Sequence, residues 1–126
     1  MVVRDGAEMV RLMSPRLCDG VYGFVAATDL AVAEDALGWF REEEGVSVIR
    51  PVPAGTPDAM RQITLDVHSA LDGVGLTAAV STALAAANIP CNMVAALHHD
   101  HVFVPEADAP RALQILQQLS AGEDQT

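Results

Sequence analysis

Residues 63–105 read ITLDVHSALDGVGLTAAVSTALAAANIPCNMVAALHHDHVFVP, and the fold follows from this stretch. Ile63, Leu65 and Val67 alternate with polar residues, and this period of two predicts a strand with one buried face. The polar positions of that strand are Thr64, Asp66 and His68. A glycine-bearing turn follows at residues 72–75.

After the turn, the apolar residues recur with the spacing of an amphipathic helix. They are Leu76, Ala79, Val80, Ala83, Leu84 and Ala87. Asn88 and Pro90 end the helix, because Asn tolerates a left-handed cap and Pro cannot continue a helix. A strand over 93–97 then turns at His99-Asp100 and returns over 102–104. The predicted unit is therefore a strand, a tight turn, a helix and a β-hairpin.

The rest of the chain predicts a second, N-terminal set of elements. A short helix around Met9–Met13 ends at Ser14-Pro15, and residues 21–27 form a strand. A helix begins at Thr28 or Asp29 and runs through Phe40, since apolar residues recur with helical spacing there. These residues are Val32, Ala33, Ala36, Leu37 and Phe40. Residues 46–50 form a short strand, and a last helix begins near residues 106–110 and continues to Leu119.

The element order predicts an α/β (α+β) sandwich with a mainly antiparallel sheet and helices on one face. Residues 1–60 form an N-terminal βαβ segment, and residues 61–126 form a βαββα unit. The second unit lacks a strand that would protect its edge, so the first segment is expected to complete the sheet. We expect one compact domain, because the only linker-like stretch, at residues 51–57, is too short to separate two.

Composition excludes several functional classes. The chain has 126 residues and a formal charge of −10, which argues against binding nucleic acid or an anionic membrane. It contains no Lys, so a Schiff-base mechanism on a side-chain amine is excluded. No window of about 18 apolar residues exists, and no signal-peptide pattern precedes the first apolar run. We expect a cytoplasmic protein whose two cysteines, Cys18 and Cys91, stay reduced.

The turn at 72–75 is the first candidate for chemistry. A helix N-terminus exposes unpaired amides and a positive dipole end, and glycines let a ligand approach the backbone. This geometry suits a carboxylate, with Asp72 placed to meet an amino group. The alternative is that Gly73 and Gly75 only shape a tight strand-to-helix turn.

The histidines are the second candidate. Residues 98–101 read HHDH, but neighbours on a strand point to opposite faces, so at most two of these side chains converge easily. A zinc site needs three or four ligands, so we expect no metal and a hairpin with solvated or hydrogen-bonding imidazoles. His68 and Ser69 diverge at a strand end, which disfavours a hydrolytic triad. We expect no cofactor and no enzymatic activity.

Two long sequence segments and one shorter segment carry a resemblance to a known family. The segments are VHSALDGVGLTAAV (67–80), NIPCNMVAALHHDHVFVP (88–105) and FREEEGVSVIRP (40–51). They resemble the ACT domain, and more closely a bacterial ACT-like family of uncharacterised proteins. The resemblance implies a ferredoxin-like fold, a regulatory or sensory role, an amino acid or similar small ligand, and pairing into dimers. The alternative is a protein-interaction or assembly domain that keeps the fold without a ligand.

Residue spacing and the resemblance together predict a ligand pocket between the glycine turn and the strand that follows the helix. The resemblance implies this place at Gly75, Leu76 and Asn92. The amides of residues 74–76 are the expected carboxylate donors. The full set of predicted ligand-binding residues is Ser69, Asp72, Gly73, Val74, Gly75, Leu76, Asn92, Met93 and Val94.

Overall fold

The computed structural model describes residues 2–27, 34–68 and 73–122. Its elements are α1 (Gly6–Leu12), β1 (Pro15–Leu17), β2 (Tyr22–Ala27), β3 (Gly38–Glu42), β4 (Gly45–Pro51), β5 (Met60–Leu65), α2 (Leu76–Ala86), β6 (Asn92–Ala95), β7 (Asp100–Pro105) and α3 (Ala109–Ser120). A short 3-10 turn, Glu106–Asp108, leads into α3.

The strands form one antiparallel sheet in the order β3-β4-β2-β5-β7-β6. β1 lies on the same edge of β5 as β2: it pairs with residues 63–65, whereas β2 meets β5 only through Tyr22 and Met60. Because both β5 and β6 are antiparallel to β7, they are parallel to each other, and α2 connects them across β7. The architecture is α+β and is compatible with the predicted ferredoxin-like fold.

The helices pack on the sheet face that carries Ile63, Leu65, Val102 and Val104. All four side chains are completely buried and meet Val80 and Leu84 of α2 and Leu116 of α3. α1 contributes Met9 and is followed by Met13, both also buried. Burial of these apolar side chains holds the three helices on the sheet.

The predictions for the central unit are confirmed with small shifts. α2 begins at Leu76, and Asn88 adopts the left-handed conformation, with φ of 60°, just after it ends. The hairpin turn lies at residues 96–99, where the Ala96 amide donates to the His99 carbonyl at 3.0 Å. The predicted turn at His99-Asp100 was therefore placed too late, because Asp100 already pairs with Ala95 and Leu65 in the sheet.

The helix predicted through Phe40 is wrong at its C-terminal end. Residues 38–42 form β3, which pairs with β4 across the turn at Glu43-Glu44. Trp39 and Phe40 favour a strand as readily as a helix, and the cross-strand bonds to β4 are available only in the strand. The N-terminal segment thus supplies the sheet with an antiparallel β2-β4-β3 arrangement. Residues 28–33, where the helix was predicted to begin, lie outside the described residues.

The period of two predicts one buried and one polar face for β5, and the structure buries Gln62 and Thr64 on the polar face as well. The strand is therefore covered on both faces. The alternation of apolar residues indicated only the face that packs against the helices. None of the helices in the described part of the chain combines the length and the apolar character that crossing a bilayer requires.

Candidate functional site

The sheet face opposite the helices carries a groove of about 620 Å³. Both outer strands of the sheet, β3 and β6, line it, because the sheet curls around this face. The lining residues are Phe24, Leu37, Gly38, Trp39, Phe40, Ser47, Ile49, Gln62, Met93, Val94, Ala95, Ala96, His101 and Phe103. This volume lies within the range of small-molecule sites in proteins, about 300–1,000 Å³.

Strand register determines which side chains share the groove face. Directly opposed residues point to the same side of a sheet, which joins Phe24 with Ile49, Phe40 with Ser47, Gln62 with Phe103, and Thr64 with His101. The rings of Phe24 and Phe103 meet edge to face with centroids 5.4 Å apart. Phe103 is buried, whereas Phe24 is 46% exposed and Phe40 is 72% exposed. The groove therefore has an aromatic floor and open aromatic walls.

A small polar cluster lies beside this aromatic floor. The Gln62 side-chain amide donates to Thr64 Oγ1 at 3.2 Å and to His101 Nδ1 at 3.0 Å. Thr64 Oγ1 also lies 3.0 Å from His101 Nδ1. Because Nδ1 accepts from an amide N–H, the neutral ring carries its proton on Nε2. His101 therefore has an N–H donor that is not used by these two neighbours.

The His101 ring is neutral at pH 7. Burial lowers its pKa below the ordinary value of 6.5, and the nearby His99 lowers the pKa further, while Asp100 opposes the shift. The groove-lining residue His101 is thus an uncharged imidazole that carries one N–H donor. No Asp, Glu, Lys or Arg is among the groove-lining residues in the part of the chain that the structure describes.

The polar cluster continues to a salt bridge at the protein surface. Cys18 Sγ lies 3.2 Å from Thr64 Oγ1, and Arg16 Nη1 donates to this sulfur at 3.5 Å. Arg16 also bonds Asp66 through Nε at 3.0 Å and Nη2 at 3.2 Å. The hydrogen bond from Arg16 lowers the pKa of the Asp66 carboxyl. Cys18 carries a free thiol, as does Cys91, whose pKa is raised by burial.

The glycine turn is described only in its second half, since Ser69 and Asp72 lie outside the described residues. Gly75 is the N-cap of α2 with φ of 112°, a conformation that favours glycine, and as a glycine it supplies no side-chain cap. Leu76 is buried and anchors the helix, whereas Val74 is 81% exposed. The start of α1 packs closely on this turn, because a Cβ built at Gly6 would overlap the Val74 carbonyl oxygen and lie 3.3 Å from Gly75 Cα. Gly73 precedes these contacts.

The side chains of β6, the strand expected to face the turn, point to both faces of the sheet. Asn92 and Val94 lie opposite Phe103 and His101 on the groove face, whereas Met93 packs against the helix-side core and also borders the groove. In the register, β5 ends beside Asp100 and Ala95, and Asn92 lies three residues, or roughly 10 Å, further along. The ligand role assigned to the turn stays a prediction.

The histidines cluster differently from their order in the sequence. His68, which follows β5, meets the hairpin turn: its Nε2 lies 3.4 Å from His98 Nδ1, and the two ring centroids are 5.1 Å apart. His99 completes the group with ring centroids 6.5 Å from both. Among the described residues, no group of three or more His, Cys, Asp or Glu side chains is placed to hold a metal ion.

The sequence interpretation missed most of the groove. Phe24 and Phe40 had been assigned to the interior of a strand and to a helix, and Gln62 and His101 were given no binding role. A usable signal is the alternation in β7, where His101 and Phe103 interleave with Val102 and Val104. An aromatic residue and an imidazole on the second face of a buried strand indicate that this face is also covered.

Comparison with known proteins places these observations in a family. A family model described as ACT domain matches residues 57–118. A Vibrio cholerae protein of unknown function, described as a possible transport protein, has a similar structure, with a TM-score of 0.75 and 35% identity. That match covers 87% of this chain and 92% of the other. An Agrobacterium tumefaciens protein shares the fold at a TM-score of 0.63 and 16% identity, covering 84% and 87%. The comparison with curated proteins gives no match.

Proposed function

Because the chain belongs to the ACT-domain family, whose members are in general ligand-binding regulatory domains, we propose that it is a regulatory module that binds a small molecule in the groove. The observation that carries this proposal is the groove itself: about 620 Å³, with aromatic walls and a hydrogen-bonding cluster beside its floor. Pockets that combine apolar walls with a few convergent polar groups are typical ligand sites.

The family resemblance adds a ligand class and a second position. An amino acid or similar molecule is the first ligand class to test, and its carboxylate fits a helix N-terminus such as the start of α2 better than the uncharged groove. Gly75 supports that position because, as the N-cap of α2, it carries no side chain that would cover the helix start. The turn before α2 and the groove are therefore two alternative positions for the ligand of one regulatory function. Substitutions in each position can show which of them binds the ligand.

A ligand-free interaction domain is the second candidate function. It is favoured by the exposed apolar side chains beside β3, where Phe40 is 72%, Trp39 49% and Leu37 47% exposed. We also propose a homodimer, since β3 and β6 each have an edge with no neighbour among the described strands, and pairing between copies covers such edges. A non-enzymatic role in the cytoplasm completes the proposal.

A thermal-shift screen tests the function. The panel contains the twenty amino acids together with neutral amides, nucleobases and organic acids, because a ligand that binds only the folded state raises the melting temperature. We expect at least one compound to stabilise the protein. Phe24→Ala should abolish the shift for a groove ligand, and Val25→Ala, one residue along on the other sheet face, should retain it. Asp72→Ala should weaken a ligand of the turn.

The outcomes separate the hypotheses. A ligand lost in Phe24→Ala and kept in Asp72→Ala supports the groove, and the reverse pattern supports the turn. If no compound in the panel stabilises the protein at millimolar concentration, the ligand-binding proposal is wrong and the interaction domain replaces it.

A further inference from the structure

We infer that the groove selects uncharged, flat molecules that carry a hydrogen-bond acceptor on one edge, such as aromatic amides and carbonyl-bearing heterocycles. This inference rests on the proposed function and specifies the ligand class of the same site. Three features of the described residues carry it: the lack of charge among them, the N–H donor of the groove-lining His101, and the aromatic walls.

Among the described residues that line the groove, none is charged, and this sets the charge of the ligand. A charged group that enters an apolar site without a partner loses its hydration and gains no ion pair in return. The groove offers polar atoms from Ser47, Gln62 and His101, all of them uncharged at pH 7. Ser47 Oγ already donates its proton to the Glu42 carboxylate, so this hydroxyl has no free proton to offer a ligand. A free amino acid, with two charges, does not fit this lining.

The donor on His101 sets the polarity of the ligand edge. Gln62 occupies the acceptor side of the ring at Nδ1, so Nε2 presents an N–H. The same Gln62 amide also bonds Thr64, and these two contacts hold the ring orientation. A donor fixed by buried neighbours recognises a carbonyl oxygen or an unprotonated ring nitrogen, because these accept one hydrogen bond in the plane of the molecule.

The aromatic walls set the ligand shape. Phe24 and Phe40 lie on the groove face and retain much of their exposure, while Phe103 forms the floor beneath Phe24. Burying an aromatic ligand against these rings removes apolar surface from water on both partners, and edge-to-face or offset contacts add to the gain. An aliphatic amide would meet the same donor with less buried area.

A matched probe series tests the charge argument. Benzamide, benzoate and benzylamine share a ring and differ in charge, and phenylalanine adds both charges at once. Each is titrated into the full-length isotopically labelled protein at neutral pH, and the amide signals of β5, β7 and the α2 turn are followed by NMR. We expect benzamide to shift the signals of Gln62, His101 and Phe103 saturably, with a Kd about tenfold or more below those of the charged probes.

Variants test the position. Phe24→Ala should raise the Kd of benzamide about fivefold or more, and Val25→Ala should leave it within about twofold. His101→Gln, which keeps an amide donor, should bind better than His101→Leu. Because Phe24 is nearly half exposed, its substitution is expected to leave the fold intact, so this arm does not depend on the stability of the His101 variants.

Failure of this inference is distinguishable from failure of the proposed function. If benzoate, benzylamine or phenylalanine shifts the groove signals with a Kd equal to that of benzamide, the ligand class is wrong while a groove site survives. A benzamide Kd unchanged by Phe24→Ala also overturns the inference. If none of the probes shifts the groove signals at millimolar concentration, both the inference and the groove site fail.

Discussion

Substitution of Gly6 by alanine tests the packing of the N-terminal helix on the turn that precedes α2. Gly6 is the first residue of α1, and a Cβ placed there would lie well inside van der Waals contact of the Val74 carbonyl oxygen. It would also lie 3.2 Å from the Val74 carbonyl carbon and 3.3 Å from Gly75 Cα. All three neighbours are backbone atoms, so no side-chain rotation relieves the overlap and α1 must move.

The magnitude follows from two opposing effects. Alanine is a better helix former than glycine by up to about 1 kcal/mol, which would stabilise the variant. Forcing an extra carbon into a packed contact costs about 1–3 kcal/mol. Because Met9 and the adjoining Met13 are held in the core by the same segment, displacement of α1 would also loosen buried contacts. We expect Gly6→Ala to destabilise the protein by about 1–3 kcal/mol.

Gly38→Ala is the matched control, since no atom of the described residues lies within 4 Å of a Cβ built at Gly38 in β3. The same chemical change there should be neutral or stabilising by up to about 1 kcal/mol. Urea unfolding at several protein concentrations measures both variants, and a loss of about 2 kcal/mol lowers the midpoint by roughly 1 M. A Gly6→Ala midpoint equal to or above that of the parent, with the same slope, would refute the reasoning.

Three further predictions concern the core, pH and assembly. Leu84→Ala should cost about 2–5 kcal/mol in urea unfolding because Leu84 is fully buried, whereas the exposed Leu97→Ala should stay within about 0.5 kcal/mol; equal losses would contradict the assigned core. Since the fold lowers the pKa of His101, the unfolded chain binds a proton that the folded chain does not as pH falls below about 6.5. Stability is therefore fully present above that pH and decreases below it, and His101→Gln should flatten this dependence in unfolding curves measured across the range. Light scattering should give the mass of a dimer, and a monomer at high micromolar concentration would contradict the pairing proposal.

The sequence by itself determined the elements whose signal is local. The alternation of Ile63, Leu65 and Val67 identifies β5 without reference to any other part of the chain, and the spacing from Leu76 to Leu84 identifies α2. Asn88 and Pro90 end the helix through their own backbone preferences. These patterns also revealed the buried face on which the helices pack, because apolar periodicity records burial directly.

Only the tertiary structure decided the second face of the sheet. Trp39 and Phe40 fit a helix or a strand equally well, and pairing with β4, a contact between separate segments, selects the strand. The groove joins β3 to β6, which are far apart in sequence and approach each other because the sheet curls. Likewise, Gln62, Thr64 and His101 form a cluster through the register of β5 with β7. Such contacts depend on the pairing of distant segments, and this pairing produces no periodic pattern of residue types in the sequence of either segment.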